Sequence, residues 1–285
     1  MSLLTTYNPK GFHKRKTVVE RFESADEMVR VSRNRHITDS SFTDKRKSSN
    51  LRSNWDGVET FQEAEELLMY GYQPFVDKLE AKLSLTAHGM GSKRVVEHKV
   101  VGQTVSVPRY LAGIPSCMRY NTRKSVPNKV LNVYLDKTAL QDKKPYQIED
   151  ACLKFVSAMI DIELQGYRIN LYIAETHNDG SDCDMFTVKV KDASAPLDLK
   201  RMSFPLAHTA FFRVIGFDWY SRCPLATYCW GYGHNLGRDY THEEITEAFE
   251  EMFREKCVVF ELEDIIGKSE EAIKDVILNA NKRLG

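Results

Sequence analysis

One stretch in the middle of the chain constrains the fold more than any other. Residues 130–135 (VLNVYL) form a short apolar run that ends at Asp136, which is typical of a strand buried inside a sheet. Residues 146–165 carry apolar side chains at helical spacing, and Gly166 stands where such a helix would stop. Residues 168–174 return to a strand pattern. A strand, a helix and a strand in this order predict two parallel strands of one sheet, and therefore an α/β fold.

Further patterns extend this core towards the carboxyl end. Residues 185–191 alternate apolar and polar side chains and predict a third strand. We predict a helical segment over residues 198–215, a short strand over 217–220 and another strand over 257–262. A closing helix is expected to begin after Ser269.

Charge and apolar patterning divide the chain into three parts. Residues 1–54 hold twelve Lys and Arg against six Asp and Glu, a net charge of +6, without a sustained apolar pattern. They predict a basic, largely flexible arm with one short helix capped by Ser24. Residues 55–128 predict a helix-plus-hairpin extension, with the hairpin at 95–107. Residues 129–285 form the predicted α/β core.

Composition excludes several classes of protein. Forty Lys and Arg balance forty Asp and Glu over 285 residues, so the chain is not a uniformly basic nucleic-acid binder. No apolar run reaches the length of a membrane span, and residues 1–16 lack the apolar segment of a secretory signal. We therefore expect a cytoplasmic protein with no membrane partner. The six cysteines include no C-x-x-C pair and are interpreted as reduced thiols.

Residues 129–192 resemble a von Willebrand factor A-type domain. Such domains have a strand ending in an acidic residue, a long helix, a second strand and an antiparallel partner strand. Residues 258–262 followed by 269–272 are similar to the last strand and helix of that fold. The resemblance implies a von Willebrand A-like, Rossmann-type sheet, mostly parallel and flanked by helices.

A second resemblance is carried by short motifs over residues 55–220. These are 55–57 (WDG), 61–64 (FQEA), 71–72 (GY), 108–115 (PRYLAGIP), 196–199 (PLDL) and 204–208 (FPLAH). They resemble a family of uncharacterised bacteriophage proteins, a domain of unknown function. This resemblance implies a phage or prophage origin, and with it the host-cell cytoplasm, but no activity.

The A-type resemblance also implies a cation site at Asp136. The family pattern is Asp-x-Ser-x-Ser, and the matching residues here are Asp136, Thr138 and Leu140. Leu140 cannot bind a metal, so Mg²⁺ or another divalent cation would need further oxygen ligands, for which Asp182 is a candidate. With His177, Asp136 and Asp182 would form the site of a metal-dependent hydrolase or nuclease. The alternative is that Asp136 caps the following turn.

A zinc site is a separate hypothesis. Cys223, Cys229, His234 and His242 lie within twenty residues, and Asp239 lies among them. Their spacing fits no usual structural zinc pattern, so the alternative is that they pack with neighbouring aromatic residues.

The arm carries three basic clusters that could neutralise phosphates without reading sequence. Their members are Lys14, Arg15, Lys16, Arg33, Arg35, Lys45, Arg46 and Lys47. The alternative is a solubilising tail, or one that folds onto the acidic carboxyl-terminal helix of its own or another subunit. Residues 241–285 hold twelve acidic and six basic residues, a net charge of −6.

The function favoured by these patterns is a phage-type, non-enzymatic interaction or adaptor protein whose partner is another protein of the phage or host. The fold pattern is clear, whereas none of the familiar catalytic motifs occurs. No cofactor is firmly implied. The alternatives are a metal-dependent hydrolase or nuclease centred on Asp136, and non-specific nucleic-acid binding through the arm.

Overall fold

A mixed six-stranded sheet organises the molecule. The computed structural model describes residues 2–37, 44, 46–47, 51, 56–86, 94–123, 129–138, 143–178, 182–225 and 235–283. The strands of the main sheet lie in the order β1 (Leu3–Tyr7), β2 (Thr17–Phe22), β8 (Cys183–Lys191), β7 (Arg168–Asn178), β6 (Val130–Asp136) and β9 (Cys257–Glu261). A second sheet holds β3 (Arg94–Lys99), β5 (Met118–Arg123) and β4 (Thr104–Val105), in that order.

Helices flank the main sheet. In chain order they are α1 (Ala25–Arg33), α2 (Phe61–Tyr70), α3 (Gln73–Thr86), α4 (Val107–Leu111), α5 (Pro145–Leu164), α6 (Leu199–Ala207), α7 (Phe217–Arg222), α8 (His242–Phe253), α9 (Leu262–Ile265) and α10 (Glu270–Arg283). A π-helix at Phe211–Gly216 joins α6 to α7, and short 3₁₀ turns lie at Lys10–Phe12 and Leu236–Arg238. Within the described chain, no helix combines the length and apolar content needed to span a bilayer.

The central prediction of parallel strands is confirmed. β6 pairs in parallel with β7, from Val130 opposite Arg168 to Asp136 opposite Ala174, and it pairs in parallel with β9 on its other side. β8 returns antiparallel to β7, and β2 then runs parallel to β8. The sheet is therefore mixed, and the predicted α/β class with flanking helices is confirmed.

Side chains alternate between two cores, one on each face of the sheet. On β6, Leu131, Val133 and Leu135 enter the larger core, which α5, α6 and α10 help to close. Tyr134 points to the smaller core, where it stacks on Tyr172 at 4.6 Å between ring centroids and packs with α8. Each large apolar side chain buried in this way contributes about 1.5–3 kcal/mol to folding.

The amino-terminal segment differs from the predicted flexible arm. β1 pairs antiparallel with β2, and β2 completes the sheet against β8 with Thr17 opposite Cys183. Val18, Val19 and Phe22 of β2 are buried, so this short segment has enough apolar surface to hold it in the sheet. The predicted start of α1 is confirmed, because the Ser24 hydroxyl accepts a hydrogen bond from the Glu27 N–H at 3.1 Å.

Two further predictions are wrong. The predicted hairpin at 95–107 is a three-stranded sheet, because β3 and β4 each pair with β5 and not with each other. The predicted strand at 217–220 is helix α7, and all of its residues are buried. A short apolar run is compatible with a strand or a buried helix, and the surrounding core decides between them.

Candidate functional site

Asp136 lies at the carboxyl end of β6, the edge of the sheet where α/β proteins usually bind ligands. Its side chain is completely buried. One carboxylate oxygen accepts a hydrogen bond from the Thr138 N–H at 2.9 Å, and the other accepts one from the Thr176 hydroxyl at 2.5 Å. The Thr138 hydroxyl in turn donates to the Thr176 carbonyl at 2.9 Å. Asp136 therefore caps the turn after β6 and ties it to β7.

Glu261 lies beside Asp136 at the end of β9, because the parallel register places these two residues opposite each other. Its Oε1 accepts a hydrogen bond from the Gly237 N–H at 2.7 Å. A Cβ at position 237 would lie 2.2 Å from Glu261 Oε2, so a larger residue there would force the Glu261 carboxylate to move. Burial and the charge of Asp136 raise the pKa of Glu261 to about 7. Burial raises the pKa of Asp136 to about 6 despite its hydrogen bonds.

A second pair of ionisable groups lies on the opposite face of the same edge. Lys137 is fully buried and its Nζ donates to the Pro205 carbonyl at 3.0 Å, and burial lowers its pKa to about 8. Glu175 is 3% exposed, and burial followed by the charge of Asp136 raises its pKa well above the usual value. Its Oε2 lies 2.1 Å from where a Cβ of Gly216 would be, against the π-helix. Protein atoms enclose both Lys137 and Glu175, which favours a structural role for them over contact with a substrate.

The predicted metal ligands do not converge as a set. Thr138 lies against Asp136. Asp182 immediately precedes β8, which is two strands away from β6. The start of β8 pairs with the end of β7, and Asn178 at that end lies four residues beyond Ala174, the partner of Asp136. Four residues of strand span about 13 Å. His177 projects to the other face and packs on the Tyr220 ring at 5.2 Å. In the described ranges, no three His, Cys, Asp or Glu side chains form a group that could hold a metal ion. Leu140 lies outside the described residues.

The described residues of the predicted zinc site also lie in different parts of the molecule. Cys223 is buried in the larger core, whereas Asp239 accepts a hydrogen bond from the Asn178 amide at 2.8 Å on the side of α8. His242 is exposed at the start of α8. Cys229 and His234 lie outside the described residues.

The basic residues of the predicted arm are largely engaged within the molecule. The arginines pair as follows: Arg15 with the Tyr240 hydroxyl at 3.0 Å, Arg33 with Glu65 at 2.5 Å, Arg35 with Glu20 at 2.7 Å, and Arg46 with Asp218 at 2.6 Å. Lys14 and Lys16 are exposed, and Lys47 is exposed beside Asp44. Lys45 lies outside the described residues. Phosphate binding by these arginines would require breaking internal contacts. Their partners all precede residue 241, so these four arginines do not pair with the acidic carboxyl-terminal residues onto which the arm was predicted to fold.

Among the residues that the structure describes, exposed apolar side chains are most numerous on residues 94–123, which we call the apolar extension. It comprises β3, β4, α4 and β5, and the main contacts of its strands are with one another. The Gln103 N–H donates to the Arg119 carbonyl at 2.8 Å, and the Ser106 N–H donates to the Cys117 carbonyl at 2.7 Å. Backbone hydrogen bonds within the extension therefore stabilise its conformation.

Eight of the fifteen exposed large apolar side chains in the described chain belong to this extension. They are Val100, Val101, Val105, Val107, Tyr110, Leu111, Ile114 and Tyr120. Sequence patterns did not indicate this surface, because an apolar residue looks the same in a sequence whether the fold covers it or leaves it in water. The available signal was the pair Val100–Val101 in a turn, where polar residues are usual.

Comparison with known proteins gives a family match without an activity. A sequence model of the family described as Domain of unknown function (DUF7192) matches residues 5–265. No curated protein and no solved structure gives a significant match.

Proposed function

We propose that this chain, which belongs to the DUF7192 family, is a non-enzymatic interaction protein that binds another protein chain through the apolar extension. The observation that supports this proposal most strongly is the concentration of exposed apolar side chains on the apolar extension. Large exposed apolar surfaces on folded proteins mark sites where another molecule binds. The proposal therefore rests on a surface and needs no catalytic group.

The extension exposes both aliphatic and aromatic side chains. Leu111 and Val101 are 78% and 80% exposed, and Tyr110, which precedes Leu111 in the sequence, is 66% exposed. Covering an aliphatic side chain of this size contributes about 1.5–3 kcal/mol before the entropic cost of association. Tyrosine is also enriched among the residues on which binding energy depends most.

The charge of the extension defines the chemistry of the partner. Residues 94–123 contain five Lys and Arg and a single acidic residue, Glu97, for a net charge of +4. A partner segment that combines apolar and acidic side chains would complement both features. We infer that the partner presents such a segment.

We also propose that the main sheet is a von Willebrand A-like core and that the protein is of phage type, acting in the host-cell cytoplasm. The first is supported by the succession of β6, α5, parallel β7, antiparallel β8 and parallel β9. The second rests on the short sequence motifs described above. In this arrangement the core would carry the extension and display it to the partner.

The enzymatic and nucleic-acid alternatives have less geometric support. Both carboxylate oxygens of Asp136 already accept hydrogen bonds from Thr138 and Thr176, and Asp182 lies two strands away. The arginines of the basic segment face internal partners such as Glu20 and Asp218.

The proposal is tested with designed peptides. A labelled amphipathic peptide of leucine and glutamate should bind the full chain in fluorescence anisotropy. A peptide with lysine in place of glutamate loses the charge attraction, and a peptide with serine in place of leucine loses the apolar contact. Each should bind at least about tenfold more weakly.

The location of binding is tested by substitution. The double variant Val101→Asp, Leu111→Asp should weaken binding of the leucine–glutamate peptide by at least about tenfold. Met69→Asp on α2 is the matched control, because Met69 is 69% exposed but lies outside the extension. Equal binding of the three peptides, or unchanged binding by the double variant, would overturn the proposal.

A further inference from the structure

The two sheets have four edge strands, and three of them are protected against pairing with another chain. β4 is only two residues long. β3 carries Arg94, Glu97 and Lys99, and all five residues of β9 are buried. Short length, charge and coverage are the usual means by which proteins prevent an exposed edge from pairing.

The fourth edge strand, β1, has none of these protections. Its sequence, LLTTY, contains no charge, proline or glycine, and its register with β2 has no irregularity. No position of β1 is buried, and Leu3 is 63% exposed. Among the described strands, β1 pairs with β2 alone, so its outer backbone N–H and C=O groups face outward.

We propose that β1 pairs antiparallel with β1 of a second copy of this chain, with Thr5 on the two-fold axis. Only the register centred on Thr5 overlaps all five residues of both strands. The two six-stranded sheets would then form one continuous twelve-stranded sheet across the dimer. A self-complementary edge of this kind produces a closed two-fold dimer.

The side chains suit this self-pairing. Leu4 packs against the larger core and Tyr7 against the smaller one, so alternate residues of β1 belong to opposite faces. In the proposed register Leu3 of each copy lies opposite Tyr7 of the other, and Leu4 lies opposite Thr6. Aromatic and aliphatic cross-strand pairs stabilise antiparallel sheets, and Tyr7 would cover the exposed Leu3.

The uncharged strand also explains why a second copy is the favoured partner. β1 offers no charge with which to select an acidic or basic chain, whereas two copies of it meet without repulsion between strand side chains. The surface is separate from the apolar extension, so this inference does not rest on the proposed function.

Cysteine cross-linking tests the register. In the full chain with a carboxyl-terminal tag, Thr5→Cys should form a disulfide-linked dimer under mild oxidation, because the two residues oppose each other. Leu3→Cys alone should not, since the two copies of residue 3 would lie about 13 Å apart along the strands. A mixture of Leu3→Cys and Tyr7→Cys should give the mixed dimer. Wild-type protein, oxidised in parallel, shows the contribution of the native cysteines.

A charge substitution tests the affinity. Thr5→Lys places two ammonium groups opposite each other and should weaken dimerisation at least about tenfold in sedimentation velocity. Thr104→Lys is the matched control, since it adds the same charge to an exposed threonine of edge strand β4. A wild-type protein that stays monomeric at all concentrations, or equal cross-linking at positions 3 and 5, would overturn the inference.

Discussion

Replacing Glu261 with glutamine should change how the stability of the protein depends on pH. The folded protein holds the pKa of Glu261 at about 7, against an ordinary value of 4.5, because the carboxyl is buried beside Asp136. Between these two values the folded state binds a proton that the unfolded state has lost. The contribution of this group to stability is therefore complete below pH 4.5 and is lost as the pH rises through 7.

The magnitude follows from the two pKa values. At about 1.4 kcal/mol for each tenfold change in proton affinity, the rise from 4.5 to about 7 corresponds to an upper limit of about 3 kcal/mol. Glu261→Gln keeps an oxygen that can accept the Gly237 N–H bond but carries no charge. We expect the variant to match wild type at pH 4 and to be more stable by up to about 3 kcal/mol at pH 8.

Urea denaturation at pH 4, 5, 6, 7 and 8 measures this difference. Glu247→Gln is the matched control, because it removes an exposed carboxylate from α8. Parallel stability curves for wild type and Glu261→Gln across the whole range would refute the assigned environment of Glu261. A variant that is less stable at pH 8 would refute the sign of the effect.

Two further substitutions test the packing of the fold. Arg35→Ala leaves the buried Glu20 carboxylate without its cation and should lower the free energy of unfolding by about 3–5 kcal/mol in urea denaturation. A loss below about 1 kcal/mol would show that Arg35 does not pair with Glu20 of β2. Gly216→Ala brings a Cβ to 2.1 Å from Glu175 Oε2 and should lower thermal stability by about 1–3 kcal/mol. The loss should be smaller when Glu175→Ala is also present, and an equal loss in both backgrounds would contradict the close approach.

Much of the central fold was predictable because its elements carry strong local patterns. The apolar run before Asp136 and the long helix α5 predict a parallel crossover, which the register of β6 and β7 confirms. β1 and β2 were missed because each is short, and Glu20 and Arg21 interrupt the apolar pattern of β2. Their place in the sheet depends on pairing with β8, more than 150 residues away in sequence.

The candidate sites show the same limit. Asp136 was identified because it follows an apolar strand, but its neighbour Glu261 was not, since their proximity depends on the register of β6 and β9. Asp182 was predicted to join Asp136 because both were placed at one edge of the sheet. They are kept apart because β7 extends four residues beyond Ala174 and because β8 lies two strands from β6. The apolar extension was missed as a surface, because exposure depends on what the rest of the fold leaves uncovered.

Hydrogen–deuterium exchange with the leucine–glutamate peptide tests the central claim most directly, since it locates the binding surface without substitutions. We expect the peptide to slow exchange in residues 94–123, above all around Val101 and Leu111, which are among its most exposed apolar residues. Exchange at the carboxyl edge around Asp136 should stay unchanged. Protection at that edge instead, or no protection in residues 94–123, would contradict the assignment of the apolar extension as the binding surface.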